Sequence, residues 1–407
     1  MARENAFNPS HVETVRSVSR QSPGRFILIL IVAAIPAFLE GFDTNLFTYG
    51  APYIVHNVHG TPALLGNVAT GFALGIAVFS MLGGYLFDRT PVKYTVMASI
   101  LLFAGCTVWT GFVSNPVELW IARLGVGLGV GIFQPAGAAL LGDIFWETRG
   151  RALSVFSVLF GLGLFVGPYL INPFLPHYQT PFVLSGIAAI ISLILFQIFI
   201  PRTYKVLERQ QLKLSGIFNR NVIILSIAIF LFGITLFGFL SYYSDYLINI
   251  LHLPQGTSAG IYSMGGLGGL LCAFPIGYIA DKIGRKRGVS LASLFIVIGS
   301  IGMFTVSAAV TPLYILTFLF GAGWGIYVGL SVGLAQDSTD DAIAGSVTGW
   351  IYLIFNVGAL VGGPLFAALI PFGFVMAGWI TLGLTSLLSF LLTLFTQPVL
   401  RSNIVSE

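Results

Sequence analysis

Glu40, Asp43, Arg123 and Asp245 are ionisable residues set inside long apolar stretches of this sequence. A charge at the centre of an apolar span costs about 2.5–3.5 kcal/mol on insertion scales, so such residues are functional candidates by default. Glu40 and Asp43 are three positions apart, which puts both carboxyls on one side of a helix. Two acids that close, in a medium of low dielectric, favour keeping a proton on one of them. The chemistry on offer is reversible protonation near neutral pH. Arg123 can stabilise an ionised carboxylate, or grip the carboxylate of a small molecule with its forked donors. Gln134 lies eleven residues further on, about three helical turns, and shares the face of Arg123. The expectation is that Asp43 is the proton-carrying acid, with Glu40 beside it and Arg123 controlling it or binding an anion. The alternative is a permanent structural ion pair between two helices. Asp245 falls near the outer end of its apolar stretch, where simple solvation also suits it.

The elements that must position these residues follow from composition. The 407 residues are 56% hydrophobic and only 8% charged, with a mean hydropathy of +0.92. So little charge cannot cover a water-exposed surface, whereas runs of about 20 apolar residues match a hydrocarbon layer roughly 30 Å thick. Such runs occur at about 26–55, 64–87, 94–114, 117–141, 150–172 and 181–200. After a charged stretch, six more occur at about 221–250, 259–280, 289–309, 312–336, 344–370 and 373–396. The reading is an all-α membrane protein with twelve transmembrane helices. Its parts are an N-terminal tail 1–25, a six-helix bundle 26–200, a linker 201–220, a second six-helix bundle 221–396 and a tail 397–407. Of the 19 lysines and arginines, 18 lie in the tails or in alternate loops, and Arg123 is the exception. The positive-inside rule then places both termini and the linker in the cytoplasm, with the plasma membrane as the location. The N-terminal tail lacks the apolar core of a cleaved signal peptide. Cys106 and Cys272 both fall in apolar runs, which argues against a disulfide framework or metal site. Nucleic acid is not an expected partner at a net charge of +4.

The two halves repeat. Gly84-Tyr-Leu-Phe-Asp88-Arg89-Thr-Pro91-Val-Lys93 follows the second run, and Gly277-Tyr-Ile-Ala-Asp281-Lys282-Ile-Gly284-Arg285-Lys286 follows the eighth, 193 positions later. Gly163-x-x-x-Gly167 returns as Gly358-x-x-x-Gly362 at an offset of 195, as does Gly150 at Gly345. Internal repeats of this length mark proteins with two related halves. The loop pattern resembles the major facilitator superfamily, and with Arg123-x-x-x-Gly127 and Glu147-Thr-Arg149-Gly150-Arg151 the resemblance covers nearly the whole chain. The N-terminal copy departs from it at Pro91 and Val92. The resemblance implies two pseudo-symmetric six-helix bundles and transport by alternating access. Asp88, Arg89, Lys93, Glu147 and Arg149, with their C-terminal counterparts, then form cytoplasmic gating contacts: a carboxylate caps a helix N-terminus, and the bases pair with acids or anionic lipid. Orientation alone is the competing reason for those bases.

Glu40-Gly41-Phe42-Asp43-Thr44 resembles the first-helix motifs of aromatic-acid–proton symporters and of sugar porters. The resemblance implies a secondary transporter that moves a small polar metabolite with protons. The glutamine pair of sugar porters in the seventh span is absent here, and the Pro-Glu-Ser element after the sixth is reduced to Pro201-Arg202, which favours an organic acid over a sugar. Tyr242, Tyr243, Trp324, Tyr327 and Asn356 are further candidates to contact the substrate. Aromatic rings with one polar group suit a small ring, though they equally fill gaps and anchor helices. The glycine-rich fourth and eighth spans have no Gly-Lys-Ser/Thr and are not a nucleotide loop. No nucleophile–base pair or metal cluster is legible, so no cofactor and no enzymatic activity are expected. The expected partners are the substrate, protons and membrane lipid, for a monomer. A proton-driven exporter of the same fold is the main alternative. A receptor or sensor is a further one.

Overall fold

The computed structural model describes residues 23–87, 92–145, 149–200, 219–339 and 344–398. Most of both expected tails and of the linker lies outside them, as do Asp88, Arg89 and Glu147 and the side chains of Arg149 and Asp281. Twelve long helices are described. They are α1 Pro23–Asn57, α2 Ala63–Phe87, α3 Val92–Thr110, α4 Pro116–Ile144, α5 Arg149–Ile171 and α6 Gln179–Phe199, then α7 Arg220–Asp245, α8 Gln255–Ile283, α9 Arg285–Met303, α10 Val310–Asp337, α11 Ala344–Leu369 and α12 Phe374–Leu394. Eleven are long and apolar enough to cross a membrane, and in α2 the described apolar stretch is Ala63–Phe79. Large apolar side chains stand exposed, Phe274 at 79% and Ile198 at 66% among them. That is the surface of a protein solvated by lipid rather than water.

The chain forms two compact units. The first comprises 1–59 and 71–209, and the second comprises 60–70 and 210–407. The start of α2 therefore groups with the second unit, although the sequence placed all of 26–200 in one bundle. The cause is a close backbone approach. Gly66 and Gly363 meet with no room for a Cβ on either, and the Gly66 N–H donates to the Tyr242 hydroxyl at 3.0 Å.

Within each unit the same helix pairs interlock through glycine. In the first, a methyl on Gly41 of α1 would overlap the Phe160 carbonyl of α5, and one on Gly163 of α5 would overlap the Phe38 carbonyl. In the second, Gly233 of α7 stands against the Phe355 carbonyl of α11, and Gly358 of α11 against the Phe230 carbonyl. Likewise Gly127 of α4 touches Phe72 of α2, and Gly321 of α10 touches Gly265 of α8. Small residues let helices pack at backbone distance, where no hydrophobic effect drives them together. The repeat seen in the sequence is thus a repeat of contacts. Gly41 corresponds to Gly233 at an offset of 192, and Gly127 to Gly321 at an offset of 194.

Helix ends are tied locally. At the start of α4, Asn115 accepts from the Glu118 N–H at 2.9 Å, while Glu118 accepts from the Ser114 N–H at 2.8 Å, a reciprocal cap. Gly284 separates α8 from α9 at φ +93°, a conformation that favours glycine. Lys93, expected in a gate, is buried, and its ammonium donates to the Gln197 and Ile200 carbonyls at 2.8 and 2.7 Å at the end of α6. A cation there satisfies the last carbonyls and complements the helix dipole. Lys93→Met is expected to remove about 2 kcal/mol of stability, read as a lowered thermal unfolding midpoint in detergent.

Candidate functional site

The ionisable residues singled out in the sequence come together inside the first unit. Asp43 sits at mid-length in α1, on a face that Gly41 does not use. Gly41 presses α1 onto α5, so the side chains of Glu40 and Asp43 are left to meet α3 and α4. The carboxylate of Asp43 is 3.2 Å from Nη1 of Arg123 on α4. Its other oxygen accepts from the Thr107 hydroxyl of α3 at 2.7 Å. Both charged side chains are about 2% exposed. The Arg123 guanidinium also lies over the Phe47 ring at 4.1 Å and the Phe72 ring at 5.1 Å. Arginine stacks on aromatic faces more readily than lysine, because its charge is planar and weakly hydrated. The guanidinium is held by one carboxylate oxygen, and its buried Nε has no partner. It keeps donor capacity for a second anion.

Glu40 is set differently. It is 2% exposed, and its Oε1 accepts from the Gln134 amide at 2.6 Å. Its Oε2 is buried and has no partner. Gln134 itself is exposed, so this carboxyl lies one side chain beneath the surface.

The second-unit candidates are not gathered into a comparable polar cluster. Tyr243 and Tyr327 are wholly buried, their hydroxyls bonded to Thr317 at 2.7 Å and Ser389 at 2.9 Å. Tyr242 is buried and stacks on Phe366 at 4.3 Å. Trp324 is half-buried and Asn356 is buried. Asp245 is buried and accepts from Asn249 at 2.6 Å. Of the gating set, Lys282 is exposed over the Tyr278 ring at 4.4 Å, and Lys286 is half-buried. Arg285 reaches the end of α10, at the Gly333 carbonyl, 2.9 Å, and Asp337, 3.0 Å. Gly277 lies within α8, and Gly84 within α2.

Sequence reasoning did not single out Thr107, Phe47, Phe72 or Asp337. Phe47 carried a usable signal, since it lies one turn after Asp43. Thr107 and Phe72 come from other helices, and nothing local marks them.

The described residues thus form membrane-length apolar helices in two repeated units, with an ion pair buried in one of them. The Major Facilitator Superfamily description matches residues 33–363, and this chain belongs to that family of transporters, which are not enzymes. A 4-hydroxybenzoate transporter of Acinetobacter baylyi is 28% identical over 44% of this chain and 40% of its own length. An arabinose-proton symporter of Escherichia coli is 24% identical over 49% of this chain and 41% of its own. The match thus spans about two fifths of these relatives. A hexuronate transporter of Bacillus subtilis is 25% identical over 92% of this chain and 94% of its own. Among solved structures, a nucleoside transporter mutant superposes with a TM-score of 0.77 at 14% identity, covering 91% of this chain and 100% of that one. A D-xylose-proton symporter gives 0.76 at 18%, covering 92% and 98%. These likenesses extend the family fold to this chain.

Proposed function

We propose that this transporter is a proton-coupled symporter of a small organic acid. The observation that carries the reading is the buried Asp43–Arg123 pair, in which the guanidinium keeps an unpartnered donor. Arg123 is the anchor for the substrate carboxylate, and Asp43 is its resident counter-ion. When a substrate carboxylate arrives, it competes with Asp43 for the same cation. Three carboxyls and one guanidinium cannot all be charged in low dielectric, so binding of an anion and binding of a proton favour each other. The guanidinium lies over the Phe47 and Phe72 rings, an apolar setting that strengthens its attraction for a carboxylate. Two of the three relatives named above carry carboxylates by name, which favours an acid over a neutral sugar. Both termini lie in the cytoplasm in this reading, from the distribution of basic residues. Asp88, Arg89, Glu147, Arg149, Asp281, Lys282, Arg285 and Lys286 act as cytoplasmic gating contacts in this reading.

Uptake by proteoliposomes tests it, with 4-hydroxybenzoate, galacturonate and arabinose as probes and an inward proton gradient. One of the acids is expected to accumulate at least tenfold, with collapse of accumulation when a protonophore dissipates the gradient. Accumulation of arabinose alone, or outward pumping, would reject the organic-acid symport.

A further inference from the structure

We infer that Glu40, with Gln134 as its partner, is the seat of the coupled proton, and that Asp43 stays ionised as the counter-ion of Arg123. This rests on the proton-coupled reading above and divides its two carboxyls by role.

The geometry distinguishes them. Both oxygens of Asp43 are engaged, one by a cation and one by a hydroxyl donor. That arrangement stabilises a carboxylate. Glu40 has one amide and no cation, and its second oxygen is buried without a partner. A buried carboxylate without a cation is costly, and the same group carrying a hydrogen costs far less. The other ionisable groups nearest the site are Asp43 on α1, Cys106 on α3 and Arg123 on α4. Glu118 of α4 is at that helix's exposed N-terminal end. The described parts of α5 and α6 bring no acid or base against Glu40, and Arg123 bonds Asp43 and not Glu40. Gln134 can rotate its amide to donate to the carboxylate or accept from the acid, so it serves both states. Because Gln134 is exposed, it also marks where a proton enters.

The repeat removes the structural explanation. Through the Gly41–Gly233 correspondence, position 40 maps to Phe232, and through Gly127–Gly321, position 134 maps to Val328. Phe232 is buried and packs edge-on to Tyr327 at 4.9 Å and against Phe355 at 6.0 Å. The shared frame accepts an apolar side chain at this point, so nothing in the packing calls for a carboxyl. A polar group kept at such a site is better explained by a chemical duty.

The cycle is balanced. One hydrogen ion joins a Glu40 carboxylate oxygen on the side of uptake, and the same O–H bond breaks on the side of release.

The test compares Glu40→Gln, Glu40→Asp and Asp43→Asn in proteoliposomes, using 4-hydroxybenzoate, or galacturonate if the wild type prefers it. Glu40→Gln is expected to lose gradient-driven accumulation more than tenfold, to reduce substrate exchange far less, and to flatten the pH profile of exchange. Glu40→Asp keeps a carboxyl and restores coupled accumulation with an altered pH profile. Asp43→Asn impairs exchange itself, because the substrate loses its competitor for Arg123 and is released slowly. Wild-type accumulation in Glu40→Gln overturns the assignment, and so does a wild-type pH profile in Glu40→Asp should Glu40→Gln not fold. Those results leave the symport reading standing. If the wild type shows no proton-dependent uptake of any probe, the symport reading and this assignment fall together.

Discussion

Arg123→Met is expected to cost about 3–5 kcal/mol of stability and to abolish transport. Methionine keeps much of the volume between Phe47 and Phe72, so the loss isolates the charge. Asp43, about 2% exposed, is left with only the Thr107 hydroxyl and no cation. Removing one partner of a buried pair strands the other, which is why the cost exceeds the net worth of the pair. The double variant Asp43→Asn/Arg123→Met removes both charges and is expected to recover most of the stability without recovering transport. Thermal unfolding in detergent and uptake in vesicles, measured on the same preparations, separate the two effects. A single variant as stable as the wild type would show that Asp43 is not held by Arg123.

Glycine at the helix crossings should be equally unforgiving. Gly163→Ala inserts a methyl into the Phe38 carbonyl, and Gly358→Ala does the same at the Phe230 carbonyl. Both obstacles are backbone, which cannot swing aside, so each variant should lose about 1–3 kcal/mol or more. Gly105 and Gly349 lie in helices and have open space where a Cβ would go. Alanine there should be neutral or stabilising by up to about 1 kcal/mol. Unfolding midpoints for the four variants check this: comparable losses at Gly163 and Gly358, and none at the two controls. A loss confined to one half would refute the equivalence of the two crossings.

The fold was legible because a membrane imposes few solutions. Apolar runs of fixed length located the helices to within a few residues, and the offset near 194 announced the repeat. The meeting of Asp43 with Arg123 was also legible, since a charge in an apolar span requires a partner. What lay beyond reach was the assignment of faces. Helices that are apolar all round give no periodic signal to say which side is packed, so Tyr243 and Tyr327 looked available for a substrate. In this conformation they are enclosed, with their hydroxyls on Thr317 and Ser389. Gln134, placed on the face of Arg123 by helical spacing, bonds to Glu40 of the same helix whose Asp43 meets Arg123, a partner that spacing alone did not name. Lys93 was read with its loop motif, but its long stem reaches the end of α6, a contact 104 positions away in the chain.

The ion pair exists in one copy of a duplicated frame. At the corresponding places in the second unit stand Thr235, bonded to Thr385, and Thr317, bonded to Tyr243. The crossings are preserved at backbone level while the groups they hold have diverged. Architecture and chemistry are therefore inherited separately in this molecule. The carbonyl-to-glycine seats hold the frame of each half, which leaves the polar positions of either half at liberty to specialise for a different cargo.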